Sequence, residues 1–340
     1  MAGTQMQAAI YGLEGLELKD EERAFFRDSD PAGYILFRRN CENQEQLLRL
    51  TDSLRALSGR DDLPILIDQE GGRVARMRPP EWPAFPPAEK FAILYRAAPS
   101  SAIEAVRANA RALALMLRSA GVNVNALPLL DVRQEGASDI IGDRALGSEP
   151  MQVAALGRAV LDGMGSAGVV GIIKHMPGHG RALVDSHKEL PVVTAGAEEL
   201  ESDLEPFERL SSAPMGMTAH VVYTAWDSER PASLSPIVIR DIIRERIGFD
   251  GWLMSDDLGM EALKGDFASR AAGVVAAGCD VALHCSGKMD EMVAVASAVP
   301  AMSAEGHDRL GRAMAGTRLD LEGIDFAEEI AKRDQLLALV

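Results

Sequence analysis

Along this chain, short runs that are apolar at consecutive positions are separated by longer stretches in which apolar residues return at helical spacing. The runs are Ala9–Leu13, Gly33–Phe37, Pro64–Ile67, Val122–Leu127, Val169–Ile173, Pro214–Ala219, Gly251–Met254 and Asp280–Leu283. Such a run buries both of its faces, the pattern of a parallel strand covered by helices. Helices are predicted at Gln44–Leu57, Ala102–Ala120, Pro150–Ala167, Ser235–Ile247, Asp266–Ala277 and Phe326–Val340. Several of them stop at a glycine (Gly121, Gly168, Gly248, Gly278), the residue that most readily takes the left-handed turn ending a helix. Ser235-Pro236 is a helix-start signal.

The order strand, helix, glycine, strand recurs about eight times, as in a closed (β/α)8 barrel. A doubly wound open sheet usually has fewer units and a G-x-G-x-x-G after its first strand, which this chain lacks. The expected fold is therefore α/β, a (β/α)8 TIM barrel in a single domain over residues 1–340. Prolines at 79, 80, 83, 86 and 87 cannot continue a helix and predict a rigid surface loop over Pro79–Pro87.

Composition narrows the partners. The 340 residues suit one barrel, and 47% hydrophobic residues suffice for a large core. The net charge of −16 repels polyphosphate and argues against a nucleic-acid partner. Cys41, Cys279 and Cys285 form neither a metal-ligand spacing nor a disulfide framework, so free thiols in a reducing cytosol are expected. Met1–Gly15 has no basic segment followed by a long apolar one, and no run approaches the roughly 20 apolar residues of a membrane span. A cytoplasmic protein without membrane association is the expectation.

In a barrel of this kind the active site lies at the carboxyl ends of the strands. Asp68, Lys174 with His175, His220, Asp256 with Asp257, and His284 all follow apolar runs, and their convergence on one rim is expected. The segment Lys174-His175-Met176-Pro177-Gly178-His179-Gly180 admits three readings. A metal pair of His175 and His179 needs a helix, which Pro177, Gly178 and Gly180 oppose. A plain turn is the second, and the third, favoured here, is a substrate-binding loop with Lys174 and His175 as donors. In Asp185-Ser186-His187, an extended chain would point Asp185 and His187 the same way. A carboxylate on one imidazole nitrogen would then fix the tautomer and raise the basicity of the other. His187 is thus a candidate proton carrier near neutral pH.

Asp256 could be a general base, a metal ligand or a nucleophile, whereas Asp257 better suits an N-cap. A retaining glycosidase needs a carboxylate on one face of the sugar and a proton donor on the other, and Asp256 with His187 would supply that pair. Gly71-Gly72-Arg73 lets backbone pass close to a ligand or loop, and Arg144 follows the turn at Gly142. An arginine fork can bind two hydroxyls, although an exposed arginine is more often only solvated.

Taken together, these stretches resemble the family 3 glycoside hydrolases, in the branch of bacterial cytoplasmic β-N-acetylglucosaminidases of cell-wall recycling. The matching segments are ILFRRN at Ile35–Asn40, IDQEGGRVARMR at Ile67–Arg78, IGDRALGSEP within Leu130–Pro150, KHMPGHGRALVDSHKELP at Lys174–Pro191, MTAHVVY at Met217–Tyr223 and MSDDLGM at Met254–Met260. They occur in order over most of the chain, and the long KH-PGHG-DSH stretch is the most specific. The resemblance implies a retaining two-step mechanism with Asp256 as nucleophile, His187 as acid/base and Asp185 as its partner. It places sugar contacts on Asp68, Arg76, Arg144, Lys174 and His175. It implies no metal and no organic cofactor, a small GlcNAc-containing muropeptide as substrate, and a monomer.

The chain departs from the family pattern at Arg181, where many relatives carry aspartate after the GHG. Altered loop contacts without lost chemistry are expected. The alternatives are a family 3 glucosidase, xylosidase or N-acetylglucosaminide phosphorylase, and a sugar-binding protein without catalysis. A phosphorylase would need phosphate for turnover. A pure binder has no need of Asp256, Asp185 and His187 together.

Overall fold

The computed structural model describes residues 6–186, 188–317 and 323–340. Among the described residues ten strands run β1 Gln7–Gly12, β2 Pro31–Leu36, β3 Ile65–Ile67, β4 Val124–Asn125, β5 Val170–Met176, β6 Val192–Val193, β7 Met215–Thr218, β8 Val222–Tyr223, β9 Trp252–Asp257 and β10 Val281–His284. Eight close into a barrel in the order β1-β2-β3-β4-β5-β7-β9-β10, and β6 and β8 form a separate pair. Every barrel pairing is parallel, with registers such as Tyr34 on Ile65 and Leu66 on Val124. The eight apolar runs are thus the eight barrel strands, and nearly every residue in them is buried.

The bounds shift where polar side chains take over the ladder. The run read as Val122–Leu127 shortens to Val124–Asn125. On its β3 side, Asn123 accepts from Ile65 N–H (2.8 Å) and donates to Leu63 O (3.0 Å), while Asn125 accepts from Gln69 N–H (3.0 Å) and donates to Gln69 O (2.9 Å). Conversely, β5 continues past Ile173 through Lys174 and His175, and β9 through Asp256 and Asp257, so these polar residues are strand residues.

The predicted helices form as Gln44–Ser58, Pro99–Ser119, Pro150–Ser166, Phe267–Ala277 and Phe326–Leu337. The segment Ser235–Ile247 is different. Over Val238–Arg246 it is a π-helix, with Ile247 N–H on Ile242 O at 2.8 Å. Its buried residues are Val238, Ile239 and Ile243, with Ile247 buried just beyond its end. The helix Ala197–Arg209 escapes a propensity reading because Pro206 lies inside it.

The proline loop is not merely superficial. Trp82 and Phe85 are buried, Phe85 O accepts from Gly72 N–H (2.8 Å), and the Phe85 ring packs under Arg333. The loop braces the Gly71-Gly72 turn, where φ is 98° and 57° and where a Cβ on Gly71 would overlap Pro86 O. Only glycine fits both demands.

Candidate active site

At the carboxyl ends of the strands lies a pocket of about 270 Å³ lined by Asp68, Glu70, Arg76, Arg144, Lys174, His175, His179, Ser186, Asp256 and Asp257, with apolar walls that include Ile35, Phe37, Met217 and Leu283. Each predicted sugar contact (Asp68, Arg76, Arg144, Lys174 and His175) therefore faces one cavity together with Asp256.

The floor is a buried ionic network. Lys174, 2% exposed, reaches Glu70 Oε1 at 2.7 Å and Asp68 Oδ1 at 3.1 Å. Arg144 grips Glu70 with both prongs of its fork, Nε at 2.8 Å and Nη2 at 2.9 Å, and gives Nη1 to Ile140 O. Arg76 ends the chain of contacts on Asp68 Oδ2 at 3.2 Å. Burial alone would raise both carboxyls. For Asp68, Lys174 and Arg76 reverse that effect, and for Glu70, Lys174 and Arg144 do, so both sit below the ordinary carboxylate range. Burial would likewise strip the proton from Lys174, but Glu70 and Asp68 hold it on. The network presents fixed charges to whatever fills the pocket.

Local chain geometry builds this floor. Gln69 is buried, donating to Met77 O (2.9 Å) and accepting from the N–H groups of Arg76 (2.8 Å) and Met77 (3.0 Å). It thereby returns Arg76 to Asp68. Arg73 lies along the neighbouring loop, on Asp143 and on the carbonyls of Asp139 and Ile140. Far from being a solvated surface group, Arg144 is held by Glu70 beyond the Gly142 turn.

Sequence reasoning missed Glu70 and Asp131. Asp131 is fully buried and accepts from His175 Nδ1–H (2.8 Å) and from the backbone N–H groups of His175 (3.1 Å) and His179 (2.7 Å). That contact fixes which His175 nitrogen carries the proton and leaves Nε2 as the other face of the ring. Burial would raise the Asp131 carboxyl, but the histidines around it hold it low. His175 and His179 do not form a helical metal pair. His175 is bound to Asp131, while His179 Nε2 meets the Ser186 hydroxyl at 3.1 Å. Burial and the neighbouring His175 push His179 down to about 4, so it is neutral at neutral pH.

Two histidines expected at the rim lie elsewhere. His220 is behind the pocket, with Nε2–H on Asp257 O (3.0 Å) and Nδ1 accepting from the Ser233 hydroxyl (2.6 Å). His284 follows Leu283, which lines the pocket, so strand alternation turns it outward onto Phe267 and the Ser286 hydroxyl. Asp257 Oδ1 accepts from Gly259 N–H (3.0 Å) and Cys285 N–H (3.1 Å), which shapes the turn after β9. Its own N–H donates to Asp256 Oδ1 at 2.8 Å.

The Asp185 loop is not extended. Asp185 O accepts from the N–H groups of both Lys188 (2.9 Å) and Glu189 (3.1 Å), so the chain turns there. Directions two residues apart cannot be read from an extended chain in such a turn. Among the described residues 182–191, Ser186 lines the pocket and Asp185 is half-buried outside it, and His187 lies outside the described residues.

The comparisons with known proteins agree with this geometry. Residues 3–311 match the glycosyl hydrolase family 3 N-terminal domain. A β-hexosaminidase from Alkalilimnicola ehrlichii is 41% identical over 282 residues, 82% of this chain and 80% of its own. The crystal structure of native NagZ from Neisseria gonorrhoeae matches with a TM-score of 0.87 at 31% identity, covering 98% of both chains. The same NagZ in complex with N-trifluoroacetyl-D-glucosamine matches with a TM-score of 0.85 at 30% identity, also over 98% of both chains. With a family match that takes in every barrel strand and every described wall of the pocket, the chain is a glycoside hydrolase and belongs to glycosyl hydrolase family 3.

Proposed function

We propose that the protein is a retaining exo-β-N-acetylglucosaminidase that removes terminal β-linked GlcNAc, with muropeptides released from peptidoglycan as its substrates in cell-wall recycling. The observation that carries this reading is the placement of Asp256 at the end of β9, in the same pocket as the Asp68–Lys174–Glu70–Arg144 network. Such a pocket suits one sugar, its hydroxyls meeting fixed charges and its acetamide methyl the apolar wall. The N-trifluoroacetyl-D-glucosamine bound by the Neisseria gonorrhoeae relative supports the choice of sugar.

In this mechanism the Asp256 carboxylate attacks the anomeric carbon as the bond to the leaving oxygen breaks. His187, oriented by Asp185, gives that oxygen its proton. In the second step His187 takes a proton from water, the water oxygen joins the anomeric carbon, and Asp256 is released. Asp68, Arg76, Arg144, Lys174 and His175 hold the sugar. No described helix is long and apolar enough to cross a membrane, and a cytoplasmic monomer is part of the proposal.

The test is turnover of a chromogenic β-N-acetylglucosaminide beside the matching glucoside and xyloside, with and without phosphate. Fast release from the first alone, independent of phosphate, is expected. Equal or better release from the glucoside would overturn the sugar assignment, and dependence on phosphate would make the enzyme a phosphorylase. The acid/base has its own signature. His187→Ala should harm poor leaving groups far more than activated aryl ones, and azide, which needs no proton removed, should restore turnover of the aryl substrate. Asp185→Ala should give a milder form of the same pattern. Equal losses on both substrate types without azide rescue would require another acid.

A further inference from the structure

The loop 177–191 carries both Asp185 and His187, and its first residues are pinned. Tyr223, fully buried, donates its hydroxyl to Gly178 O at 2.7 Å, and Gly178 itself packs on Asp203. Gly180 passes so close to the Val132 backbone that a Cβ would overlap it. Gly180 O accepts from Gln134 N–H at 3.3 Å and Ala182 O from Ser138 N–H at 2.9 Å. Beyond this root, Leu183 is 71% exposed.

Arg181 ties the root to the helix Ala197–Arg209. Its Nε meets Asp203 Oδ2 at 2.6 Å, and its Nη2 meets Glu199 O at 2.8 Å and the Ser202 hydroxyl at 3.1 Å. Asp203 is 1% exposed; burial pushes its carboxyl up to about 6, against the pull of Arg181 and Ser202. An aspartate at position 181 would set like charge against Asp203, so the grip depends on the basic residue this chain carries. One planar fork serving three acceptors fixes direction as well as charge.

We propose that Arg181 is a positioning residue for catalysis: its three-point grip on the helix Ala197–Arg209 fixes the base from which the loop delivers its proton-transfer dyad to the pocket. The proposal rests on the acid/base reading of His187 given above. Loss of the grip displaces the dyad while the ionic floor that holds the sugar stays in place.

The experiment compares Arg181→Ala, Arg181→Lys and the double variant Arg181→Ala/Asp203→Asn with the parent protein. Readouts are pre-steady-state release of an activated aryl group, turnover of an unactivated β-N-acetylglucosaminide, melting temperature, and amide exchange over 182–186. Arg181→Ala should lower turnover of the unactivated substrate by about 10²-fold, the scale of a displacement near 1 Å, and leave the aryl burst rate within about threefold. Arg181→Lys, which keeps the charge with a single point donor, should recover part of the loss. The double variant, relieved of its buried unpaired carboxylate, should regain melting temperature but not turnover. Amide exchange over 182–186 should quicken in both alanine variants.

Equal loss on both substrates, or none on either, would overturn the proposal. So would a double variant that regains turnover along with stability, because Arg181 would then be only a counterion. Failure of the underlying reading looks different. His187→Ala would itself lack leaving-group discrimination, while the exchange result for Arg181→Ala would stand.

Discussion

Asp256→Ala is expected to lower turnover by on the order of 10⁴-fold or more while the barrel remains folded. Removing the proposed nucleophile would abolish the covalent intermediate, and the remaining pocket would retain only binding and charge stabilisation. Folding should survive because Asp256 sits at the half-buried end of β9, beyond a fully buried apolar stretch Trp252–Met254 that the substitution leaves unchanged. Far-ultraviolet circular dichroism and melting would check the fold, and steady-state release from an aryl β-N-acetylglucosaminide the activity. Asp257→Ala makes the useful contrast. It removes the acceptor for Gly259 and Cys285 N–H groups, so it should lose stability first and activity in proportion.

Glu70→Ala is expected to carry the largest stability cost of any single change in the pocket, about 3–5 kcal/mol, because it strips a shared partner from two buried cations. Lys174 would keep Asp68, but Arg144 would lose both fork contacts. Activity should fall about 10²-fold as well, since Arg144 and Lys174 would no longer be held in their present directions. A double cycle with Arg144→Ala should be strongly non-additive. Additive losses would mean that the Glu70–Arg144 contact contributes little. The pH dependence follows from the sign of the shifts. Asp68, Glu70 and Asp131 are held below their ordinary values, so the stability they add is complete above those values and is lost as pH falls through the lower native ones. Acid unfolding should therefore steepen below about pH 4.5, the ordinary glutamate value, and Glu70→Gln should flatten it.

Much of this was written openly in the chain. Continuous apolar runs marked all eight barrel strands, because a parallel strand buried on both faces leaves no room for polar alternation. Inspecting the residue after each run found Asp68, Lys174, His175 and Asp256. Asp131 lies beyond the fourth run, which stops at Leu127 before Pro128; carried on through the apolar Leu129 and Leu130, the same rule reaches it. Glu70, two residues from Asp68, carries no sequence signal of its own, because its partners Arg144 and Lys174 come from distant parts of the chain. The orientation of His220 and His284 could not be read from order alone, since a residue at a strand end faces either way according to register. The Asp185 turn was hidden for a related reason, because it depends on backbone hydrogen bonds and no residue type near it demands them.

A mechanism-based fluorosugar of the N-acetylglucosamine type reports which carboxylate bonds to the sugar. Incubated with the intact enzyme, digested and mapped by mass spectrometry, it should leave one glycosyl adduct on the peptide containing Met254–Met260, at Asp256. An adduct on Asp257, on Asp68 or on Glu70, or stoichiometric inactivation with no adduct on any carboxylate, would contradict the assignment.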